Sequence, residues 1–265
     1  MEGCQLDSTE RQVSFFAMLL AVQLYTVRDL LQKDLKGTLQ ALKSMGVNHI
    51  EGASGYGLKP EEWKALVGEI GFTVVGGHVG LEKLVGSPKA VAEEAKLLGY
   101  GCAIVPWASG KNYPGGWKAF AEILNLLSAQ LAAVGVVGGY HNHNHEMELE
   151  NGVPGLDILY ANTDPALVKA QIDVGWVNFG GGDPTAYVRK YGSRLNSVHL
   201  KDSVRGPEHI DVVAGTGQVD WDAVLGACFE VGCGYGALEM DNPPGDALES
   251  VSKSLDYYRS KGVGS

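Results

Sequence analysis

The chain has 265 residues, of which 45% are hydrophobic and 20% are charged, and its 31 acidic and 21 basic residues give a formal net charge of −10 at pH 7. This length suits a single α/β barrel, which often fills about 200 to 250 residues. Because nucleic-acid binding needs clustered positive charge to replace phosphate counterions, the acidic balance argues against a nucleic-acid partner. A small neutral or metal-bound substrate is the better expectation.

The N-terminal segment contains one continuous apolar run, VSFFAMLLAV, at residues 13–22. The run is too short to span a bilayer, and only Arg11 among several acids precedes it, so neither a membrane partner nor a signal peptide is expected. We interpret Met18 as the natural start and residues 1–17 as a disordered extension.

The cysteines carry no motif of their own. They are Cys4, Cys102, Cys228 and Cys233, and none has CxxC spacing. This usage favours reduced thiols and a cytoplasmic location.

Short β-rich runs alternate with helical segments from residue 18 onward. The predicted strands cover residues 21–26, 48–52, 72–78, 102–107, 136–143, 170–176, 196–202 and 236–241. The segments between them, such as LKGTLQALKSMG and PEEWKALVGEIG, repeat apolar residues at helical spacing and end in glycine. Eight such units, roughly thirty residues apart, predict a single (β/α)8 TIM barrel over residues 18–265. A doubly wound open sheet is the alternative, but no GxGxxG follows the first strand.

Polar and aromatic side chains fall at the C-terminal ends of the predicted strands. In a barrel these ends meet at one mouth, where the βα loops build the active site. We expect substrate contacts from Glu51, His78, Trp107 and Trp176, because the aromatic faces of the two tryptophans suit the C–H faces of a sugar. For Trp107, packing under the loops is the alternative.

A carboxylate–imidazole–carboxylate set lies at the ends of three consecutive predicted strands and consists of Asp173, His199 and Glu239. Mixed nitrogen and oxygen ligands suit Mn²⁺, Zn²⁺, Co²⁺ or Mg²⁺, and a fourth ligand from the fifth strand would complete the site. Taken singly, each residue has a structural alternative as a helix cap, a core histidine or a lysine partner. Their shared position at the mouth favours one divalent metal ion.

The stretch GGYHNHNHEME, residues 138–148, holds three of the seven histidines. The period of two along a strand would place His141 and His143 on one face, so that one binds metal and the other meets substrate. His145 is expected to point to a loop or to solvent.

The motifs VQLYTVRD, YHNHNHE, DVGW, DPTAYVRKYGSR, VHLKD, GTGQVDW and LEMD resemble the sugar phosphate isomerase/epimerase family. That family belongs to the xylose-isomerase-like barrel superfamily, with ketose epimerases, inosose dehydratases and endonuclease IV. The resemblance implies one divalent metal held in the order Glu, Asp, His, Glu by strands five to eight. The last three ligands carry over onto Asp173, His199 and Glu239, whereas His141 stands where ketose epimerases have glutamate. This His-Asn-His version resembles the branch that contains 3-keto-glycoside eliminases and inosose-dehydratase-like proteins.

The resemblance also implies a chemistry, the removal of a proton next to a carbonyl through a metal-stabilised enediolate. His141 is expected to be the fourth metal ligand, His143 or Glu146 the base, and Lys201 an acid or an electrostatic stabiliser. A structural ion pair between Lys201 and Asp202 is the alternative for that lysine. Metal-bound imidazole is a poor base, so a symmetric two-glutamate epimerisation is doubtful.

These features favour a metal-dependent isomerase, epimerase or lyase acting on a sugar or keto-sugar, either alone, as a homo-oligomer or with a small partner subunit. A phosphodiesterase of the endonuclease IV type is one alternative, which the charge of −10 disfavours. A non-catalytic sugar-binding barrel is the other.

Overall fold

The computed structural model describes residues 18–52 and 55–264, and within them eight parallel strands close into one barrel. The barrel strands are β1 (Leu19–Gln23), β2 (His49–Glu51), β3 (Thr73–His78), β4 (Cys102–Val105), β5 (Val137–His141), β6 (Val168–Asp173), β7 (Leu195–Leu200) and β8 (Tyr235–Leu238). Each strand pairs in parallel with the next, and β1 pairs with β8, so that Leu20 lies opposite Gly236. The predicted (β/α)8 TIM barrel is confirmed.

Helices surround this barrel. They are α1 (Arg28–Lys33), α2 (Leu35–Ser44), α3 (Pro60–Ile70), α4 (Leu81–Gly86), α5 (Pro88–Leu98), α6 (Gly116–Ala132), α7 (Gly155–Ala161), α8 (Val174–Phe179), α9 (Pro184–Tyr191), α10 (Trp221–Val231) and α11 (Ala247–Ser260). The long predicted helices are confirmed, and α3 ends at Gly71, whose φ of 89° is readily adopted by glycine. Apolar side chains such as Trp63 and Phe120 are fully buried in the core.

Most of the strands end earlier than the sequence predicts. The fifth predicted strand runs to residue 143, whereas β5 ends at His141, and the sixth runs to residue 176, whereas β6 ends at Asp173. In the sixth, the carboxylate of Asp173 accepts the backbone N–H of Trp176 at 2.8 Å and so caps α8. His143 therefore lies in the loop after β5, and Trp176 lies in α8.

Two small antiparallel hairpins, absent from the sequence prediction, stand in these loops. One pairs Leu149–Glu150 with Val153–Pro154 after β5, and the other pairs Ser203–Val204 with Ile210–Asp211 after β7. Each strand has only two residues, which is too short for an alternating pattern to reveal.

Across the described residues, no helix has both the length and the apolar character needed to cross a bilayer. The interpretation of residues 1–17 as a disordered extension concerns a segment that lies outside those residues, as does Cys4. The other three cysteines are buried free thiols.

Candidate functional site

Four side chains from adjacent strands converge at the C-terminal mouth of the barrel: His141, Asp173, His199 and Glu239. One potential ligand atom from each lies within 4.8 Å of those of the other three, and all four residues are buried. Nδ1 of His199 is 2.7 Å from Oε2 of Glu239, and the rings of His141 and His199 are 4.5 Å apart. The fold thus brings together the four residues that the sequence indicated as metal ligands.

Two of these side chains carry buried polar atoms without a hydrogen bond. Among the described residues, Nδ1 of His141 and Oδ2 of Asp173 have no hydrogen-bond partner, although Nζ of Lys201 lies 3.3 Å from the latter. Unsatisfied buried polar atoms are energetically unfavourable and usually have a function or a missing partner. Two imidazoles and two carboxylates form a donor set that fits a divalent cation such as Zn²⁺, Mn²⁺ or Co²⁺.

Charges within this cluster alter one another's ionisation. Burial raises the pKa of Asp173 to about 7, opposed by the charge of Lys201. Burial alone would lower the pKa of His199, but the carboxylates of Glu239 and Glu51 outweigh it and raise this pKa to about 10. His199 is therefore protonated at neutral pH in this arrangement, and a metal would displace one of its protons.

Glu51 lies beneath the cluster, inside the barrel, and is fully buried. Its carboxylate accepts hydrogen bonds from Gln23 at 2.6 Å, Gln171 at 2.8 Å and Tyr235 at 2.8 Å, and lies 2.8 Å from Nε2 of His199. Burial would raise the pKa of Glu51, but the charge and hydrogen bond of His199, the charge of His78 and the hydroxyl of Tyr235 hold it at about 2. The sequence indicated Glu51 as a substrate contact, whereas its observed contacts are with side chains that support the cluster.

His78 stands beside this group at the end of β3. Its Nε2 is 2.6 Å from Oε1 of Gln171, and its ring stacks on that of His199 at a centroid distance of 5.2 Å. Sequence reasoning missed Gln171, although it lies two residues before Asp173 on the same strand. The period of two would have placed both side chains on the inner face of the barrel.

His143 and Glu146 occupy the loop that follows β5. The ring of His143 contacts that of His141 edge-on at 5.0 Å, and burial lowers the pKa of His143 to about 3, so this ring is neutral. Glu146 is fully buried, and its carboxylate accepts the hydroxyl of Tyr140 at 2.6 Å and the backbone N–H of His143 at 2.8 Å. Glu146 thus contacts the loop that carries His143 and lies outside the four-residue cluster.

His145 was expected to point to a loop or to solvent, and its partly buried ring points to the loop after β4. Its Nε2 lies 2.7 Å from the carbonyl oxygen of Ala108. The ring stacks on Trp117 at 6.0 Å and packs against Trp107 at 5.8 Å. These contacts fix His145 on the side of the mouth formed by the loop after β4.

Lys201 is completely buried between three carboxylates. Its Nζ lies 2.6 Å from Asp241, 3.1 Å from Glu239 and 3.3 Å from Asp173. Burial would lower the pKa of Lys201, but the three negative charges raise it well above its usual value. Gly175 permits this placement, because a Cβ there would lie 2.7 Å from the backbone oxygen of Lys201.

Asp202 does not pair with Lys201, contrary to the alternative raised from the HLKD motif. Its Oδ2 accepts the N–H groups of Gly215 at 2.8 Å and Gly217 at 3.0 Å, and the indole N–H of Trp221 at 3.0 Å. The GTGQVDW motif therefore supplies the donors that hold the loop after β7 to this buried carboxylate.

The hairpin at residues 203–211 brings two residues that the sequence did not single out. His209 stacks on Trp176 at a centroid distance of 4.0 Å, and Asp211 accepts the backbone N–H of Asn242 at 2.8 Å. Together with Asp241 they form a second group of potential ligand atoms within 4.8 Å of one another. The only signal in the sequence was HID, a histidine and an aspartate two residues apart in a loop.

The mouth encloses a cavity of about 260 Å³, here called the inner cavity. It is lined by Tyr25, His78, Pro106, Trp107, His141, His143, Glu239 and Asp241. Of the expected substrate contacts, His78 and Trp107 line it, and 52% of the Trp107 side chain is exposed. Trp176 instead packs its ring 5.4 Å from His143 and 4.8 Å from Nζ of Lys201.

Comparison with known proteins relates the chain to one family. The family model described as "Xylose isomerase-like TIM barrel" matches residues 39–261. An inosose dehydratase of Clostridium tetani is 37% identical over an alignment of 167 positions, which covers 55% of this chain and 54% of that relative. The chain therefore spans about half the length of the curated relatives it matches.

Two crystal structures have the same fold. A sugar phosphate isomerase/epimerase from Parabacteroides distasonis superimposes with a TM-score of 0.78 at 22% identity, covering 91% of this chain and 97% of that one. The IOLI protein with a binding zinc atom has a TM-score of 0.75 at 17% identity, covering 94% of this chain and 100% of that one.

Proposed function

Since this chain belongs to the xylose isomerase-like TIM barrel family, we propose that it is a divalent-metal-dependent lyase that acts on a keto-sugar. The observation that carries the proposal is the buried group of His141, Asp173, His199 and Glu239, whose potential ligand atoms lie within 4.8 Å of one another. The inosose dehydratase similarity supports a lyase, and the zinc atom of the IOLI protein supports a metal in this fold.

The four residues of the cluster would hold the cation, with the unpartnered Nδ1 of His141 and Oδ2 of Asp173 among the donor atoms. When bound, a divalent cation polarises the carbonyl of a substrate and so acidifies the adjacent C–H bond. Imidazole and carboxylate donors favour Zn²⁺, Mn²⁺ or Co²⁺ over Mg²⁺.

His143 is the base in this proposal. Its imidazole lines the inner cavity next to the ring of His141, which places it where it can accept the proton from the carbon next to the carbonyl. Glu146 was expected to compete for this role, but both of its oxygens are engaged with Tyr140 and with the backbone N–H of His143. We assign Glu146 the task of holding His143 in place.

Elimination follows from the same proton removal. As His143 takes the proton, the C–H electrons form a carbon–carbon double bond, and the oxygen on the next carbon leaves with the electrons of its C–O bond and takes up the proton that His143 removed. Loss of water completes the reaction for a hydroxyl group. Lys201 is buried, so it acts by its charge on Asp173, Glu239 and Asp241, while His78 and Trp107 contact the sugar.

An epimerase or isomerase is the second candidate, because the same proton removal followed by return of the proton gives that outcome. The sugar phosphate isomerase/epimerase from Parabacteroides distasonis shares the fold. His141 disfavours this candidate, since a metal-bound imidazole replaces the second carboxylate that a two-base epimerisation uses.

We propose a small-molecule substrate and, from the buried free thiols, a cytoplasmic location.

The test combines metal analysis with a substrate panel in D₂O. Purified protein loaded with Zn²⁺, Mn²⁺, Co²⁺ or Mg²⁺ is incubated with inososes, ketoses and 3-keto-glycosides, and the products are analysed by mass spectrometry and NMR. A product that has lost water or a larger leaving group supports the lyase. A product that carries solvent deuterium and keeps every oxygen supports the epimerase or isomerase instead.

Two further outcomes would refute the proposed function. One is that the wild-type chain binds no divalent cation, or that the Asp173→Ala variant binds the cation as tightly as the wild type does. The other is a metal-loaded protein that neither exchanges deuterium into any member of the panel nor releases a leaving group. Glu69→Gln, a change at an exposed side chain, serves as the control variant throughout.

A further inference from the structure

A second cavity lies beside the inner cavity. This outer cavity has a volume of about 490 Å³ and is lined by the loop after β4, the start of α6 and the hairpin at residues 149–154. Four aromatic side chains line it, namely Trp107, Tyr113, Trp117 and His145, together with the charged side chains of Lys111, Glu148 and Glu150. Leu149 completes the wall with an apolar side chain that is 68% exposed.

The rings of Trp107 and His145 lie between the outer cavity and the inner one. Trp107 lines both cavities and is half exposed, so its indole can contact a ligand on either side. The ring of His145, in the outer cavity, stacks on that of His143, in the inner cavity, at a centroid distance of 5.9 Å. A ligand that crosses Trp107 can therefore occupy both spaces at once.

The outer cavity is held in shape by contacts on two sides. Gly155 leaves room for Trp117, since a Cβ there would lie 2.1 Å from its indole nitrogen. Lys111 and Glu148 form an ion pair of 2.6 Å across the rim, joining the loop after β4 to the hairpin. Both of these charged side chains are largely exposed, whereas Trp117 is buried.

We propose that the outer cavity is a second subsite, which binds a planar aromatic leaving group attached to the keto-sugar in the inner cavity. This inference rests on the proposed function. It specifies the substrate class as a glycoside-like compound whose leaving oxygen carries an aromatic group in place of a hydrogen atom. Flat aromatic groups pack favourably on tryptophan, tyrosine and histidine rings, and the pocket is concave and mostly apolar, as ligand sites are. The leaving group departs as the phenol, having taken the C–O bond electrons and the proton that His143 removed.

Binding of unreactive probes tests the subsite without turnover. Phenyl and methyl β-D-glucopyranoside, which lack the carbonyl, are titrated into the full chain while tryptophan fluorescence and heat are recorded. The phenyl compound should bind about tenfold more tightly than the methyl compound, because it adds one stacked ring. Leu149→Asp should abolish this preference by placing a charge in the wall of the outer cavity, and Leu149 does not line the inner cavity.

The matched control is Leu126→Asp on α6. Leu126 is also 68% exposed and does not line the cavity, so this variant should keep the full preference for the phenyl compound. Equal affinities of the wild type for the two probes would overturn the proposal. So would no detectable phenyl binding at the solubility limit, a preference that survives in Leu149→Asp, or tighter binding of cellobiose than of the phenyl compound.

The subsite and the proposed function can fail independently. A phenyl preference in a chain that never turns over any keto-sugar leaves the subsite standing and refutes the lyase. Turnover of inososes and methyl 3-keto-glycosides without any phenyl preference leaves the lyase standing and refutes the subsite.

Discussion

Nε2 of His199 lies 2.8 Å from Oε1 of Glu51, and both side chains are completely buried. The contact fixes the ring so that Nδ1 faces Glu239 and the cluster at the mouth. Histidines that bind metals commonly donate their other ring N–H to a carboxylate, which sets the tautomer and raises the basicity of the ligand. Glu51 is therefore in the right place to orient His199.

Glu51→Gln should weaken metal binding by about 10- to 100-fold, because the amide removes the negative charge that orients His199. The measurement is titration of Zn²⁺ or Mn²⁺ against a competing chelator. The pKa of His199, raised to about 10 by Glu239 and Glu51, should also fall, which NMR of the ring can follow. Unchanged affinity in a variant with a normal circular dichroism spectrum would show that Glu51 has only a packing role.

Asp173 offers a way to separate metal binding from folding. Its Oδ1 accepts the N–H of Trp176 at 2.8 Å and caps α8, while Oδ2 points into the cluster without a hydrogen bond. Asp173→Asn should keep the cap and lose the anionic ligand, whereas Asp173→Ala should lose both. We expect poor metal uptake in both variants, and a lower free energy of unfolding, by about 1 kcal/mol, for the alanine variant relative to the asparagine variant without metal. Equal stability of the two would contradict the capping role.

The sequence predicted the parts of this site that depend on the barrel alone. Asp173, His199 and Glu239 lie at or just beyond the ends of consecutive strands, so the topology brings them together whatever the loops do. Gln171 was predictable on the same grounds, because it shares a strand face with Asp173. Strand pattern and topology suffice for such residues.

Residues in the loops were harder to place. Glu146 follows β5 by five positions, and its contact with Tyr140 depends on a turn that no periodicity reveals. His209 and Asp211 reach the mouth only because the chain folds over α8 into a hairpin whose two strands have two residues each. Such placements depend on long-range packing, which competes with and overrides local sequence preference.

Lys201→Met should destabilise the protein and strengthen metal binding at the same time. Without the ammonium group, three nearby carboxylates lose their buried counter-charge, and breaking such a cluster typically costs about 3 to 5 kcal/mol. A divalent cation no longer meets the repulsion of Lys201, so Mn²⁺ should raise the melting temperature more in the variant than in the wild type. Lys36→Met, which removes an exposed ion pair, is the control. Weaker metal binding in Lys201→Met would contradict this account.

The pH dependence of stability should include a contribution from Asp211. Burial raises its pKa from 3.8 to about 6, so between these values the folded state binds the proton more tightly than the unfolded state. The free energy of unfolding that this group contributes is therefore present below about pH 4 and is lost as the pH rises through about 6.

Asp211→Asn removes this dependence while its amide oxygen can still accept the N–H of Asn242. By urea unfolding, the variant should exceed the wild type by on the order of 1 kcal/mol at about pH 8, with a smaller difference near pH 5. Asp256→Asn, at a side chain that is 75% exposed, should show no such trend. The difference in free energy of unfolding between Asp211→Asn and the wild type could instead stay constant between about pH 5 and pH 8. That result would mean that burial does not hold the proton on Asp211 and that the hairpin tolerates the charge beside Lys201.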